Sequence, residues 1–155
     1  MANLDYTGDG GAYAPCSILS KAPLVCFYRR LKVADIIAAD ATMTTNGYIT
    51  ANDIIYALDI PIGFVFNQAI LRIITSHTAS VNCEVGLAGA AEMLATMDMD
   101  GAAGVMTATL TGDSFAHGKC FYAADTVDVQ YINANCVVGE SELFVLGHML
   151  VLGTA

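Results

Sequence analysis

The stretch that constrains this chain most is Ser80–Gly104, SVNCEVGLAGAAEMLATMDMDGAAG. Val81, Cys83, Val85 and Leu87 alternate with Ser80, Asn82, Glu84 and Gly86, the period-two pattern of a half-buried strand. Gly86 and Gly89 then break the run, which rules out both a long helix and a long strand through the middle of the chain. The Ala-rich segment GAAEMLATM is expected to form one or two helical turns, and Asp98–Gly104 an acidic, Gly-punctuated loop. Nothing in this piece is placed for chemistry.

The same short-strand grammar runs along the rest of the chain. Val25–Val33 (VCFYRRLKV) reads as the first strand, with Phe27, Arg29, Leu31 and Val33 on one face. Residues 34–53 are ambiguous: their Ala content allows a short helix, while Thr42–Thr45 and Asn46-Gly47 point to a turn. Ile54–Ile60 is a strand stopped by Pro61, and DIPIGFVFNQA reads as a loop feeding a second strand, Ala69–Ser76. That second strand is β-branched and nearly free of charge, as suits a central position covered on both faces. Further strands are predicted at 80–87, 104–110, 118–123, 126–133 and 142–152, joined by Gly, Asp, Asn and Ser turns. Some eight short strands at this spacing specify a sandwich or barrel in place of βαβ units.

Composition bears on what covers such a domain. Fifty-five per cent of the residues are apolar, against only six Lys/Arg and fifteen Asp/Glu. A folded 16.2 kDa monomer exposes roughly 7,500 Å², so few charges remain to solvate it. That imbalance points to a membrane or to burial against other subunits. The longest apolar run, LFVLGHMLVLG, is about half the ~20 residues of a spanning helix, and Ile54–Phe66 is interrupted by Asp59 and Pro61. Assembly is the expectation, with no membrane partner. A net charge of −9 argues against direct nucleic-acid binding. Arg29, Arg30 and Lys32 are the one basic cluster, and read as a solvated strand edge before a phosphate site. No signal peptide is visible at MANLDYTGDGG, which implies synthesis in a reducing cytoplasm. Cys16, Cys26, Cys83, Cys120 and Cys136, widely spaced, read as small buried hydrophobes and not as a disulfide framework or zinc site.

Residues 1–24 stand apart. They are rich in Gly, Ala and Pro and fit neither period, yet carry single apolar anchors at Leu4, Tyr6, Tyr13, Ile18, Leu19 and Leu24. A frayed terminus is one account. A disordered tail, however, normally carries more charge and fewer such anchors, so an extended arm that orders against a neighbouring subunit is the other. In that case Arg29 and Arg30 lie at its root, as charge partners for a carboxylate.

Catalytic and metal patterns fail on spacing. From Asp98, a calcium loop would need oxygen ligands at its fifth and twelfth positions, which are Ala102 and Thr109. His77, His117 and His148 have no paired spacing and read as turn or core residues. Ser114 and Ser141 lack a nucleophile elbow, and GDGG near the N-terminus has no following Lys. Asp125 and Asp128 fall on opposite strand faces, a poor acid–base pair. No enzyme, no cofactor and no metal is expected.

The order of features resembles the small virion structural proteins of tailed bacteriophages, of the capsid decoration, cement or head-fibre type. The features are Asp59-Ile60-Pro61 with Gly63, the β-branched Ile70–Thr75, Val85-Gly86, Met93-Leu94, Ala103-Gly104, Ala124–Val129 (ADTVDV) and an apolar final strand. One departure is the apolar Leu87-Ala88-Gly89-Ala90, where such proteins place an Asp-Gly-rich turn. The resemblance implies an all-β fold: a jelly-roll-like antiparallel β-sandwich over residues 25–155, with an extended N-terminal arm over 1–24. It implies a decoration or cement protein on the outer surface of a phage head. Its partners would be its own copies, as a homotrimer, and the major capsid protein. The competing expectation is a receptor- or glycan-binding module of a fibre or tail, with aromatics and carboxylates gathered at one end. A small-molecule-binding barrel would instead show an internal pocket.

Overall fold

The computed structural model describes residues 24–87, 92–107 and 119–150. The arm anchors Leu4, Tyr6, Tyr13, Ile18 and Leu19, together with Cys16, Ser114 and His117, lie outside the described residues. The elements in order are β1 (Leu24–Lys32), α1 (Val33–Ala39), α2 (Ala41–Asn46), β2 (Ile54–Ile60), β3 (Phe64–Thr75), β4 (Asn82–Gly86), β5 (Leu94–Asp98), β6 (Met106–Thr107), β7 (Asp125–Ile132) and β8 (Glu140–Met149). They form two four-stranded sheets, β1-β8-β3-β6 and β2-β7-β4-β5.

That order is a folded-over hairpin. β1 pairs with β8, β2 with β7, β3 with β6 and β4 with β5, all antiparallel, and these pairs alternate between the two sheets. The additional pairings β3–β8 and β4–β7 roll the hairpin up. Eight strands connected this way make a jelly roll, the architecture expected from the sequence resemblance.

Most strand positions agree with the period-two reading, and the departures have local causes. β3 begins at Phe64, five residues before the predicted start. Its pairing with β8 slips between Phe66 and Gln68, so the inward row passes from Phe64 and Phe66 to Ala69, Leu71 and Ile73. A bulge of one residue moves every later side chain to the other face, and FVFNQA therefore looks aperiodic although it is strand. β3 is central, between β8 and β6, but its outer face is only half-covered, at Ile70, Arg72 and Ile74. Residues 33–46 form α1 and α2. Asp40 separates them because its Oδ1 accepts from the N–H groups of Thr42 (2.8 Å) and Met43 (2.9 Å), capping α2. α2 ends on Gly47 in the left-handed conformation, φ 77°.

The helical turns expected over Gly89–Met97 are corrected for the part that is described. Leu94–Asp98 is β5, hydrogen-bonded to β4 through Asn82↔Asp98, Cys83↔Met97 and Val85↔Leu94. A single isolated turn cannot repay its nucleation cost, whereas β4 offers an open edge. Of the strand predicted over 118–123, the described residues 119–123 contribute an isolated bridge, Cys120 to Val65.

The core lies between the sheets. Leu31, Phe64, Phe66, Leu71, Ile73, Leu143 and Val145 on one side meet Ile60, Cys83, Val85, Leu94, Val127, Val129 and Tyr131 on the other. Phe64 anchors one end, edge-on to Phe27 (centroids 5.2 Å apart) and beside Phe121 (5.9 Å). Each fully buried side chain of this size stabilises the fold by about 1.5–3 kcal/mol. At the opposite end, Ile49 and Cys136 exchange two backbone hydrogen bonds of 2.9 Å, closing the helical connection onto the β7–β8 loop.

Candidate assembly interface

The outer face of the β1-β8-β3-β6 sheet follows from its register. Tyr28 stands opposite Phe144, which stands opposite Ile70; one step along, Arg30, Glu142 and Arg72 form the next row. Tyr28 and Phe144 rings lie 5.1 Å apart. The Tyr28 hydroxyl donates to Glu142 Oε1 at 2.9 Å, and Arg72 Nε donates to Glu142 Oε2 at 2.9 Å. The hydrogen bond from Tyr28, with Arg72 beside it, holds the Glu142 carboxyl below its ordinary range. Arg30 is ion-paired with Glu140 on the same face. This face is therefore an aromatic–aliphatic row beside a row of charges already neutralised within the chain.

The three neighbouring cations line one groove but are divided by strand parity and by their partners. Arg30 is turned to the outer face, Lys32 reaches Asp35 of α1 at 3.5 Å, and Arg29 takes the opposite side of β1. Arg29 shares its side with Phe27 and Leu31, both packed on the core, yet it is itself exposed. The sandwich is open at this edge. Between β1, the two helices and β2 lies a groove of about 490 Å³, with Leu31, Ile36, Met43, Ile54 and Tyr56 as its apolar walls and Arg29, Arg30, Lys32, Asp35 and Asp40 also lining it. Tyr56 is 73% exposed. Among the described residues Arg29 has no ion-pair partner.

The far end of β2 presents the converse. Gly63 N–H donates to the Phe121 carbonyl at 2.7 Å and Phe121 N–H to the Phe64 carbonyl at 2.8 Å, clamping two connections side by side. They carry Ile62, 51% exposed, and Tyr122, 85% exposed. Asp59 and Asp125, at the adjoining ends of β2 and β7, are exposed beside them.

Asp98 Oδ1 accepts from Asp100 N–H and Asp100 Oδ2 from Ser80 N–H, each at 3.0 Å, so this acidic pair shapes its own turn. Among the described residues no group of three or more His, Cys, Asp or Glu side chains could hold a metal ion. His77 is buried between the sheets, its ring 5.7 Å from Tyr131, and burial pushes its pKa down to about 4. Asp125 is exposed and Asp128 buried, on opposite faces of β7. Cys83 and Cys136 are buried, and burial pushes both thiols up. Cys26 corrects the expectation of uniformly buried thiols: it is exposed, because alternation along β1 turns it outward opposite Leu146.

Of the residues singled out in the sequence, Leu24 opens β1, and Arg29 and Arg30 lie well inside that strand, on opposite faces. The sequence reading missed the groove wall, Glu140, Glu142 and Arg72. A signal for the charge ladder existed in the alternating Arg30-x-Lys32 of the first strand and Glu140-x-Glu142 of the last.

No helix of the described residues is long and apolar enough to cross a membrane. No protein-family model matches the chain, and no curated protein matches it. Three solved structures do match in fold. A chain of the cyanophage Pam1 capsid asymmetric unit is 14% identical at a TM-score of 0.58, over 83% of this chain and 86% of that one. A chain of the Ralstonia phage GP4 capsid is 15% identical at 0.58, over 85% and 86%. A chain of the acidic stable capsid of Helicobacter pylori bacteriophage KHP30 is 14% identical at 0.50, over 81% and 88%. At such identities the likeness is one of fold: the chain is an all-β sandwich of the kind found in these phage capsids.

Proposed function

We propose that this chain is a structural, non-catalytic component of a phage virion, a decoration or cement protein on the outer surface of the head. It acts as a homotrimer bound to the major capsid protein, and residues 1–24 reach a neighbour. The observation that carries this is the shared fold with three phage capsid chains over more than four-fifths of this chain. Support comes also from the apolar residues left exposed at Tyr56, Ile62 and Tyr122, which the charge-poor composition leaves for subunit contacts. Attachment would rest on burial, and high copy number would raise avidity without strong single contacts. The test is co-sedimentation of the purified protein with heads that lack it, followed by heating. The expected result is saturable binding and a higher temperature of genome release. Absence from purified particles, with no binding to heads, would overturn the proposal.

A second reading, a receptor- or glycan-binding module, draws on one observation. Tyr122 shares one end of the sandwich with Asp59 and Asp125, the aromatic–carboxylate grouping such sites use. Retention of Tyr122→Ala protein on heads, with loss of adsorption to host cells, would favour it.

A further inference from the structure

We infer that the groove between β1 and β2 receives the Ile62/Tyr122 end of a second copy of this chain, and that Arg29 pairs there with Asp125 or Asp59 of that copy. The inference rests on the virion reading above and names the surface through which copies would join.

The groove is not a finished surface. Its walls are largely aliphatic and aromatic, and of the charges that line it Lys32 pairs with Asp35, Arg30 pairs with Glu140 and Asp40 accepts from Thr42 and Met43, which leaves Arg29 as a cation with no ion-pair partner among the described residues. At about 490 Å³ it falls in the range of concavities that enclose a whole inserted group. An arginine on the inward side of an edge strand also has a purely protective role, since such a charge discourages indiscriminate strand pairing. That protection narrows the choice of partner. Whatever enters must bring a carboxylate with its apolar surface, or Arg29 is stripped of water without compensation.

The opposite end of the molecule carries that combination: two large apolar side chains flanked by two exposed carboxylates, fixed by the Gly63–Phe121 clamp. The match is apolar to apolar and cation to anion. It cannot be made within one chain. The groove is walled by the start of β2 and the Ile62 turn follows its end, which separates them by about 20 Å along the strand. Joined between copies, the contact is head-to-tail, and closes into a ring when the rotation permits. Tyr122, at 85% exposure, is the aromatic anchor of a kind that dominates interface energetics.

The experiment is a charge swap in the full-length protein, read by sedimentation velocity with circular dichroism as the folding control. Arg29→Glu is expected to weaken self-association about ten-fold or more at low salt. Asp125→Arg is expected to do the same, and the double variant to recover most of the loss. Tyr122→Ala, which leaves the charges intact, should weaken association at every ionic strength, whereas the effect of Arg29→Glu should shrink in high salt. Wild-type association that Arg29→Glu leaves unchanged would overturn the inference and leave the virion reading standing. So would a wild-type monomer that still enters particles. A loss that Asp125→Arg does not rescue, but that Tyr6→Ala and Tyr13→Ala in the intact chain reproduce, would overturn it by assigning the groove to the N-terminal segment. Failure of the wild-type protein to appear in particles would instead remove the virion reading itself.

Discussion

Gly147 offers the sharpest test of how closely the first sheet is packed. It sits in β8, paired with Val25 of β1 and Phe66 of β3. A Cβ added there would lie 2.1 Å from the Val65 carbonyl oxygen and 2.4 Å from the Phe64 ring. A ring can tilt, but the carbonyl belongs to the backbone of the neighbouring strand and cannot move without breaking ladder hydrogen bonds. Overpacking in a core costs typically 1–3 kcal/mol. With backbone as the obstacle, Gly147→Ala is expected near the upper figure, about 3 kcal/mol. For a chain of this length each kcal/mol lowers Tm by roughly 2–4 °C, so the variant should melt about 6–12 °C lower. Gly47→Ala is the control. Nothing lies within 4 Å of its added Cβ, but φ is +77°, so it should lose only the ~1–2 kcal/mol of a left-handed Ala. Calorimetry or urea melts on both variants decide the matter. A Tm change under about 2 °C for Gly147→Ala, or a larger one for Gly47→Ala, would refute the close approach of β8 to β3.

Three further outcomes are expected. Burial holds His77 neutral, with its pKa down to about 4 from 6.5; stability is therefore complete above pH 6.5 and falls by about 3 kcal/mol as pH drops toward 4. A His77→Phe variant should lose that slope in urea melts between pH 7 and 4, and an unchanged slope would refute the assignment. Native-state alkylation read by mass spectrometry should label Cys26 quickly and leave Cys83 and Cys136 protected; rapid labelling of Cys83 would contradict its burial. Deleting residues 1–23 should leave near-native β content but weaken attachment to heads, and equal occupancy by both forms in a sedimentation assay would remove any role for the arm.

The fold was legible where alternation is uninterrupted. Residues 126–133 and the last strand were placed to within one to three residues because their inward rows keep one parity, whereas Ile54–Ile60 was bounded by Pro61 despite a slip between Tyr56 and Leu58 that carries its buried row from Ala57 to Ile60. β3 was half hidden because the slip between Phe66 and Gln68 reverses that parity. β5 was hidden for a different reason. Ala, Met and Leu in Glu92–Met97 favour a helix locally, and only the open edge of β4, ten residues earlier in the chain, makes a strand the better outcome. Pairing of β1 with β8 joins the two ends of the described chain and has no local signal at all.

The candidate interface shows the same limit from the side of chemistry. Arg29, Arg30 and Lys32 look in sequence like one basic patch, and a patch would ask for one anionic partner. A strand divides them by parity, and the fold then decides what each meets. Arg30 meets Glu140 because β1 lies against β8 in that register, and Lys32 meets Asp35 because the first helix starts one residue later. Both are satisfied within the chain and add little to any contact, since exposed pairs contribute about 0–1 kcal/mol. Arg29 differs because β1 is an edge strand and no strand of the facing sheet closes over its side chain. In the proposed contact the charge that matters is thus the one whose neighbours in sequence are already paired, and it becomes visible only when the two sheets are seen to part between β1 and β2. Low overall charge points to subunit contacts somewhere. The position of Arg29, unpaired among the described residues, beside apolar walls and about 20 Å along β2 from an apolar tip flanked by Asp59 and Asp125, is what the proposed contact between copies rests on.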